Sequence, residues 1–364
     1  MERRVTVTRS GVTREPSIGV AELKRASYRD IPLYSTPKES RAIDLSDNTN
    51  LWGAPPSALR TLRATAEDSV TRYPTAFEPA LREALATYAG VSPDMIVAGC
   101  GSDDVLDSAI RAFAEPGDLL CLPAPSFSMI PVFARTNGLV PVEVPLTSRL
   151  DADVDAMLAT GARITYLCSP NNPTGEAFSR EAVESIVQEA AGLVIIDQAY
   201  SEFGGESFTD LVSAGRPVLV TRTMSKAFGL AGLRIGYGIG SPEVVGEIMK
   251  ARGPYKVNAP AERAAIAALE KDQRWVAERV ADVVANRARF RRELASRRIT
   301  SLRSAANFVL VPVKDCAAVS EQLRRQGIGV RALSSLPGIG DALRIGIGPW
   351  DLMERCLDAL GTVA

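Results

Sequence analysis

Thr223-Met224-Ser225-Lys226-Ala227-Phe228-Gly229-Leu230-Ala231-Gly232-Leu233-Arg234-Ile235-Gly236 is the most telling stretch of this 364-residue chain. It sets a hydroxyl directly before a lysine and an arginine eight residues further on, with small residues between. That arrangement suits a cofactor carrying both an aldehyde and a phosphate. The lysine amine would condense with the aldehyde as a Schiff base, and the hydroxyl and guanidinium would bind the phosphate dianion. The ordinary alternative is a glycine-rich turn with a solvated lysine. Lysine is scarce here, however: only seven of the 42 basic residues are lysines, and none lies between Lys38 and Lys226.

Working outward from this stretch gives the fold class. Upstream lie short apolar runs at 218–221, 193–196, 164–168, 140–144, 119–122 and 95–98, each read as a strand. Helical spacing recurs at 179–191, 127–136, 105–113 and 76–88. Alternating strands and helices of these lengths predict an α/β layer architecture with a mostly parallel sheet. After about residue 255 a long helical stretch, 261–297, leads to strands at 307–313, 329–333 and 342–347 and helices at 317–326 and 349–360. The predicted organisation is an arm over 1–45, broken by Pro16, Pro32 and Pro37, a large α/β domain over 46–255, and a connecting helix with a small α+β domain over 256–364.

Composition narrows the chemistry. The chain holds no histidine, which removes Ser-His-Asp and Cys-His triads, histidine zinc sites and any imidazole acid or base. Lys, Tyr, Asp, Glu and Cys remain as proton carriers. A net charge of -1, from 42 Lys+Arg and 43 Asp+Glu, gives no electrostatic pull toward nucleic acid or an anionic membrane. The five cysteines are scattered without a C-x-x-C pair, so neither a disulfide framework nor a metal site is expected. No apolar segment has the length of a signal peptide or a membrane span, and a cytoplasmic location is expected.

Three further motifs stand at strand ends. Asp197-Gln198-Ala199-Tyr200 closes an apolar strand 29 residues before Lys226. A buried acid there needs a cationic or hydrogen-bonded partner, which a protonated pyridine nitrogen would supply; a cap or turn role is the plainer alternative. Asn172, in Ser-Pro-Asn-Asn-Pro-Thr-Gly, is by default a turn residue. Gly99-Cys100-Gly101-Ser102-Asp103-Asp104 reads either as an incomplete dinucleotide fingerprint or as a phosphate cup at a helix N-terminus.

In this order, the three motifs Ser-Pro-Asn-Asn-Pro-Thr-Gly, Asp-x-Ala-Tyr and Thr-x-Ser-Lys followed by Gly-Leu-Arg resemble the pyridoxal-phosphate (PLP) aminotransferases of fold type I. The chain is most similar to the histidinol-phosphate aminotransferase branch, from about Tyr34 to its end. The resemblance implies a large domain built on a seven-stranded, mostly parallel sheet. It implies Lys226 as the Schiff-base lysine, Asp197 as the partner of the pyridine nitrogen, and Tyr200 and Asn172 as partners of the ring oxygen. Phe127 would stack on the ring, and Ser102, Asp103, Thr223, Ser225 and Arg234 would hold the phosphate.

Tyr73 matches a tyrosine that reaches the phosphate of a neighbouring subunit, which implies a homodimer with shared sites. Arg344 and Arg331 would receive the anionic ends of the substrate, with Tyr34, Asn48 and Asn50 lining its site. Thr49 stands where the family carries a glutamate. The implied reaction moves an amino group from a small-molecule donor, L-histidinol phosphate, to a 2-oxo acid, 2-oxoglutarate. A specialised-pathway amino acid aminotransferase and a decarboxylase of an amino acid phosphate remain as alternatives.

Overall fold

The computed structural model describes residues 23–29, 31, 33, 42–213 and 215–361. In chain order the strands begin with β1 (Ile43–Asp44), β2 (Ile96–Cys100), β3 (Leu119–Ala124) and β4 (Val140–Pro145). There follow β5 (Ile164–Cys168), β6 (Leu193–Asp197), β7 (Val218–Thr223) and β8 (Ile235–Gly240). The last third adds β9 (Phe308–Pro312), β10 (Ile328–Gly329), β11 (Arg331–Leu336) and β12 (Gly340–Gly346).

Every residue of β5 and β6 is buried, as a strand covered on both faces must be. They lie at the centre of a seven-stranded sheet of order β2-β8-β7-β6-β5-β3-β4. From β4 to β7 all pairings are parallel, whereas β8 runs antiparallel to both of its neighbours. On one face Ile195 and Leu219 pack with Leu106, Ala109 and Ile130 beneath the helices Ser102–Phe113 and Met129–Thr136. On the other, Val194, Ile196 and Val220 belong to a core that continues through Phe290 and Phe308 to Leu357. The C-terminal elements therefore share a core with the sheet. At such positions truncation to alanine costs roughly 2–5 kcal/mol.

The α/β class and the mostly parallel seven-stranded sheet are as expected, and three local features differ. Strand β8 was not expected, because Gly236, Gly238 and Gly240 read as turn formers between its apolar residues. The stretch 261–297 is two helices, Ala259–Lys271 and Gln273–Ser296, separated at Asp272. The Asp272 carboxylate accepts from the Ser57 amide at 2.7 Å and from the Ser57 hydroxyl at 2.8 Å, so a buried acid breaks the period. Ile43 and Asp44, expected within an arm, pair in parallel with β10 and are joined to the C-terminal elements. Among the described residues no helix is long and apolar enough to cross a membrane.

One consequence of the topology places the site. The carboxyl ends of β5, β6 and β7 lie side by side, so the loops that follow them open at one edge of the sheet, where α/β folds bind ligands.

Candidate active site

A cavity of about 860 Å3 opens at this edge. Strand β6 delivers Asp197 to it, β5 delivers Cys168 in register with Asp197, and β7 runs on through Thr223 to Ser225 and Lys226. Asn172 comes from the turn after β5, and Tyr200 from the turn after β6. Ser102 and Asp103 open the helix Ser102–Phe113, and Phe127 precedes the helix Met129–Thr136. The C-terminal elements contribute Arg331 on β11 and Arg344 on β12, whose Cα positions are partners across the ladder.

The anion end is built from backbone. Gly101 has φ of 81°, and a Cβ at this position would overlap the Arg234 guanidinium. Only glycine lets the helix start lie this close to the arginine. The first N–H groups of this helix have no intrahelical partner, and Ser102 and Asp103 line the cavity with Ser225 and Arg234. Arg234 donates to Ser225 Oγ at 3.5 Å and pairs with Asp103 Oδ2 at 3.2 Å. Thr223 donates its hydroxyl proton within reach of Ser225 Oγ at 3.0 Å and accepts from the Ser225 amide at 3.1 Å, which fixes the turn before Lys226.

The centre is buried and polar. Asp197 is 3% exposed; its Oδ2 accepts from Tyr166 Oη at 2.8 Å, and its Oδ1 accepts from Thr221 Oγ1 and the Ala199 amide, each at 3.2 Å. Burial pushes its pKa up to about 6, while the Tyr166 and Thr221 hydrogen bonds act in the other direction. Lys226 Nζ donates to the Asp47 carbonyl at 3.0 Å. Burial, with the Arg344 charge second, lowers the Lys226 pKa to about 8. Tyr200 Oη accepts from Asn48 Nδ2 at 3.2 Å, and burial lifts its pKa to about 12.

Arg344 spans the mouth. Its Nη1 donates to Asn172 Oδ1 at 2.6 Å and its Nη2 to the Ser46 carbonyl at 2.7 Å. Asn307, in turn, donates to the Asn48 carbonyl at 2.9 Å, so Asn48 is held from both sides. Met129, Leu333 and Leu336 add an apolar wall. The last two share a side because β11 carries an irregularity between them, where Ser335 has φ of 53° and its amide donates to Asp341 Oδ1 at 2.9 Å.

Thirteen of the sixteen expected residues thus line one cavity. Asn50 does not: it donates to the Ala227 carbonyl at 3.1 Å and accepts from the Trp52 amide at 3.0 Å, so it shapes the turn beside Lys226 instead. Tyr73 lies outside this chain's cavity, 84% exposed and stacked on Tyr255 at 5.1 Å between centroids. Tyr34 lies outside the described residues. Tyr166, Thr221 and Asn307 were missed. The first two sit inside apolar strand runs that read as core, and only strand register brings them to Asp197.

Comparison with known proteins agrees with the geometry. The family model described as "Aminotransferase class I and II" matches residues 40–360. A histidinol-phosphate aminotransferase of Desulfitobacterium hafniense (strain DSM 10664 / DCB-2) is 34% identical over 95% of this chain and 98% of its own length. That of Roseiflexus castenholzii is 38% identical over 89% and 90%. The crystal structure of histidinol-phosphate aminotransferase from Sinorhizobium meliloti in complex with pyridoxal-5'-phosphate superposes with a TM-score of 0.82 at 27% identity, covering 98% of this chain and 99% of that one. The fold is that of the fold type I aminotransferases, and this chain belongs to the aminotransferase class I and II family.

Proposed function

We propose that this protein is a PLP-dependent aminotransferase whose amino donor is L-histidinol phosphate and whose acceptor is 2-oxoglutarate. One observation carries the cofactor assignment: an amine of lowered pKa, a buried carboxylate and a backbone anion cup meet in a single cavity. These groups fit PLP in kind. Lys226 offers an amine to its aldehyde, Asp197 an acceptor to its ring N–H, and the Ser102 helix start, Ser225 and Arg234 an oxyanion site to its phosphate. The buried Oδ1 of Asn48 has no partner, so this edge of the cavity also holds an acceptor in need of a donor.

When bound, PLP supplies a carbonyl that combines with amines and a ring that takes up the electrons of the substrate carbon. The protein supplies the rest. Asp197, kept ionised by its donors, holds the proton on the ring nitrogen. Tyr200 and Asn172 would orient the ring's phenolic oxygen, and Phe127 would cover a ring face. Lys226 Nζ takes the proton from the substrate carbon and gives it up again, which its lowered pKa makes practicable near neutrality. Arg344 and Arg331 bind the anionic ends of donor and acceptor; a planar guanidinium takes carboxylate or phosphate through paired N–H bonds.

The relatives' names and the two facing arginines support histidinol phosphate. The apolar wall of Met129, Leu333 and Leu336, beside Thr49, favours a second reading in which the donor is an amino acid with an apolar side chain. A half-reaction screen on the holoprotein separates the two: bleaching of the bound cofactor is followed with glutamate, histidinol phosphate, phenylalanine, alanine and arginine in turn. Conversion by glutamate and histidinol phosphate is expected. Inertness toward histidinol phosphate with conversion by phenylalanine would transfer the assignment to the second reading.

The exposed Tyr73 and Tyr255 pair further supports a homodimer in which Tyr73 enters the partner's phosphate site. Full activity from a sedimenting monomer would reject it. We take 46–255 as the cofactor-binding unit and 256–364 as the unit bringing Arg331 and Arg344, with 1–45 as an arm whose end, Ile43–Asp44, pairs with β10.

A further inference from the structure

Asp197 is hydrogen-bonded by a strand residue that none of the motifs contains. A carboxylate offers about four acceptor sites on its two oxygens. Here Oδ1 is filled twice, by the Ala199 amide and the Thr221 hydroxyl at 3.2 Å each. Oδ2 is filled once, by Tyr166 Oη at 2.8 Å. The fold therefore leaves one acceptor site, on Oδ2, on a side chain that lines the cavity. Tyr166 is 1% exposed and sits on β5 two residues before Cys168, the register partner of Asp197, so strand pairing fixes its reach.

Burial and the Asp197 charge both drive the phenol's pKa far upward, so Tyr166 keeps its proton and always donates. The other titratable groups whose charge reaches Asp197 are Asp103 at the helix start, Cys168 on β5 and Tyr200 after β6. None of these is shown donating to its carboxylate. In a chain with no histidine, a phenol supplies the short neutral-donor bond to this acid.

We propose that Tyr166 is a positioning residue for the reaction: by donating to Oδ2 it makes Asp197 a weaker base, so that the proton shared with the bound cofactor rests on the ring nitrogen and not on the carboxylate. The proposal rests on the PLP reading above. Tyr166 touches neither substrate nor cofactor in this scheme; it acts through Asp197. Its removal leaves a more basic carboxylate that draws the proton away, and a ring with less positive charge releases its remaining protons at higher pH.

The test uses wild-type, Tyr166→Phe and Thr221→Val holoproteins. Thr221→Val removes a donor to the same carboxylate from the neighbouring strand. Each is reconstituted with PLP carrying 15N in the ring, and the ring-nitrogen NMR shift and the pH midpoint of the bound cofactor's absorbance are recorded. In Tyr166→Phe the nitrogen signal is expected to move toward the unprotonated position and the midpoint to rise by about one pH unit. kcat is expected to fall roughly tenfold with donor KM within about twofold, and Thr221→Val to shift the same way by less.

A purely structural role would lower thermal stability while leaving the nitrogen signal and midpoint in place, and that result would overturn the proposal. Should Tyr166→Phe not fold, an unmoved nitrogen signal in Thr221→Val overturns it equally. If the wild-type protein takes up no cofactor, the PLP reading fails instead; wild-type uptake with an unchanged variant sinks only the role of Tyr166.

Discussion

Asp197 gathers the conflict between folding and function into one side chain. Its pKa is raised to about 6, principally by burial, so the folded apoprotein binds a proton more tightly than the unfolded chain does. The stabilising contribution is therefore complete below the ordinary carboxylate value near pH 4 and is lost as pH rises through about 6. Asp197→Asn removes that charge. The variant apoprotein should be more stable than wild type at pH 8, on the order of 1–3 kcal/mol, with the difference shrinking toward pH 4. It should also be catalytically dead. Urea denaturation of both apoproteins at the two pH values checks the sign, and a variant less stable at pH 8 than at pH 4 relative to wild type would refute it. At this scale the sequence was legible where side chains advertise chemistry: Lys226, Asp197, Arg234 and Arg344 all stand in the cavity. It was not legible for Tyr166 and Thr221, because an apolar strand run gives no sign of which neighbour its polar member will meet.

The elements explain a second kind of miss. Strand β8 reads Ile235-Gly236-Tyr237-Gly238-Ile239-Gly240, and its glycines look like turn formers. Packing requires them. A Cβ on Gly238 would lie 2.8 Å from Leu219 Cδ1 and 3.0 Å from Val105 Cγ1, and one on Gly236 would overlap the backbone of Gly101 and Ser102. The same absence of side chains that hides the strand lets the helix start sit against the sheet as an anion cup. Gly236→Ala must push that backbone away. Overpacking of this kind costs about 1–3 kcal/mol, which as PLP affinity is roughly a tenfold to hundredfold loss. Fluorescence titration of the apoprotein with PLP measures it; Gly238→Ala, which meets side chains that can move, should cost affinity less. Equal affinity of Gly236→Ala and wild type would contradict the cup assignment. By contrast β5 and β6, apolar apart from Thr165 and the closing Asp197, were legible to within a residue.

Over the whole molecule, alternation of strands and helices was enough to read the α/β class, since parallel strands must be linked by crossovers and covered on both faces. What composition could not reveal is how distant segments close on each other. Asp272 bonds Ser57, and β1 pairs with β10, across most of the chain length. The first ties Ser57 to the junction of the two long helices, and the second ties Ile43–Asp44 to the strand just before Arg331. The absence of histidine fits the proposed function, in which a lysine would move the proton and a carboxylate held by tyrosine and threonine would face the ring. The central claim is that Lys226, alone among seven lysines, holds the cofactor. Borohydride reduction of the PLP-loaded protein, followed by proteolysis and mass spectrometry, tests it most directly. The account requires the cofactor mass on the peptide containing Lys226 and none on the Lys226→Ala protein; modification of another lysine, with Lys226 unmodified in an active sample, would contradict it.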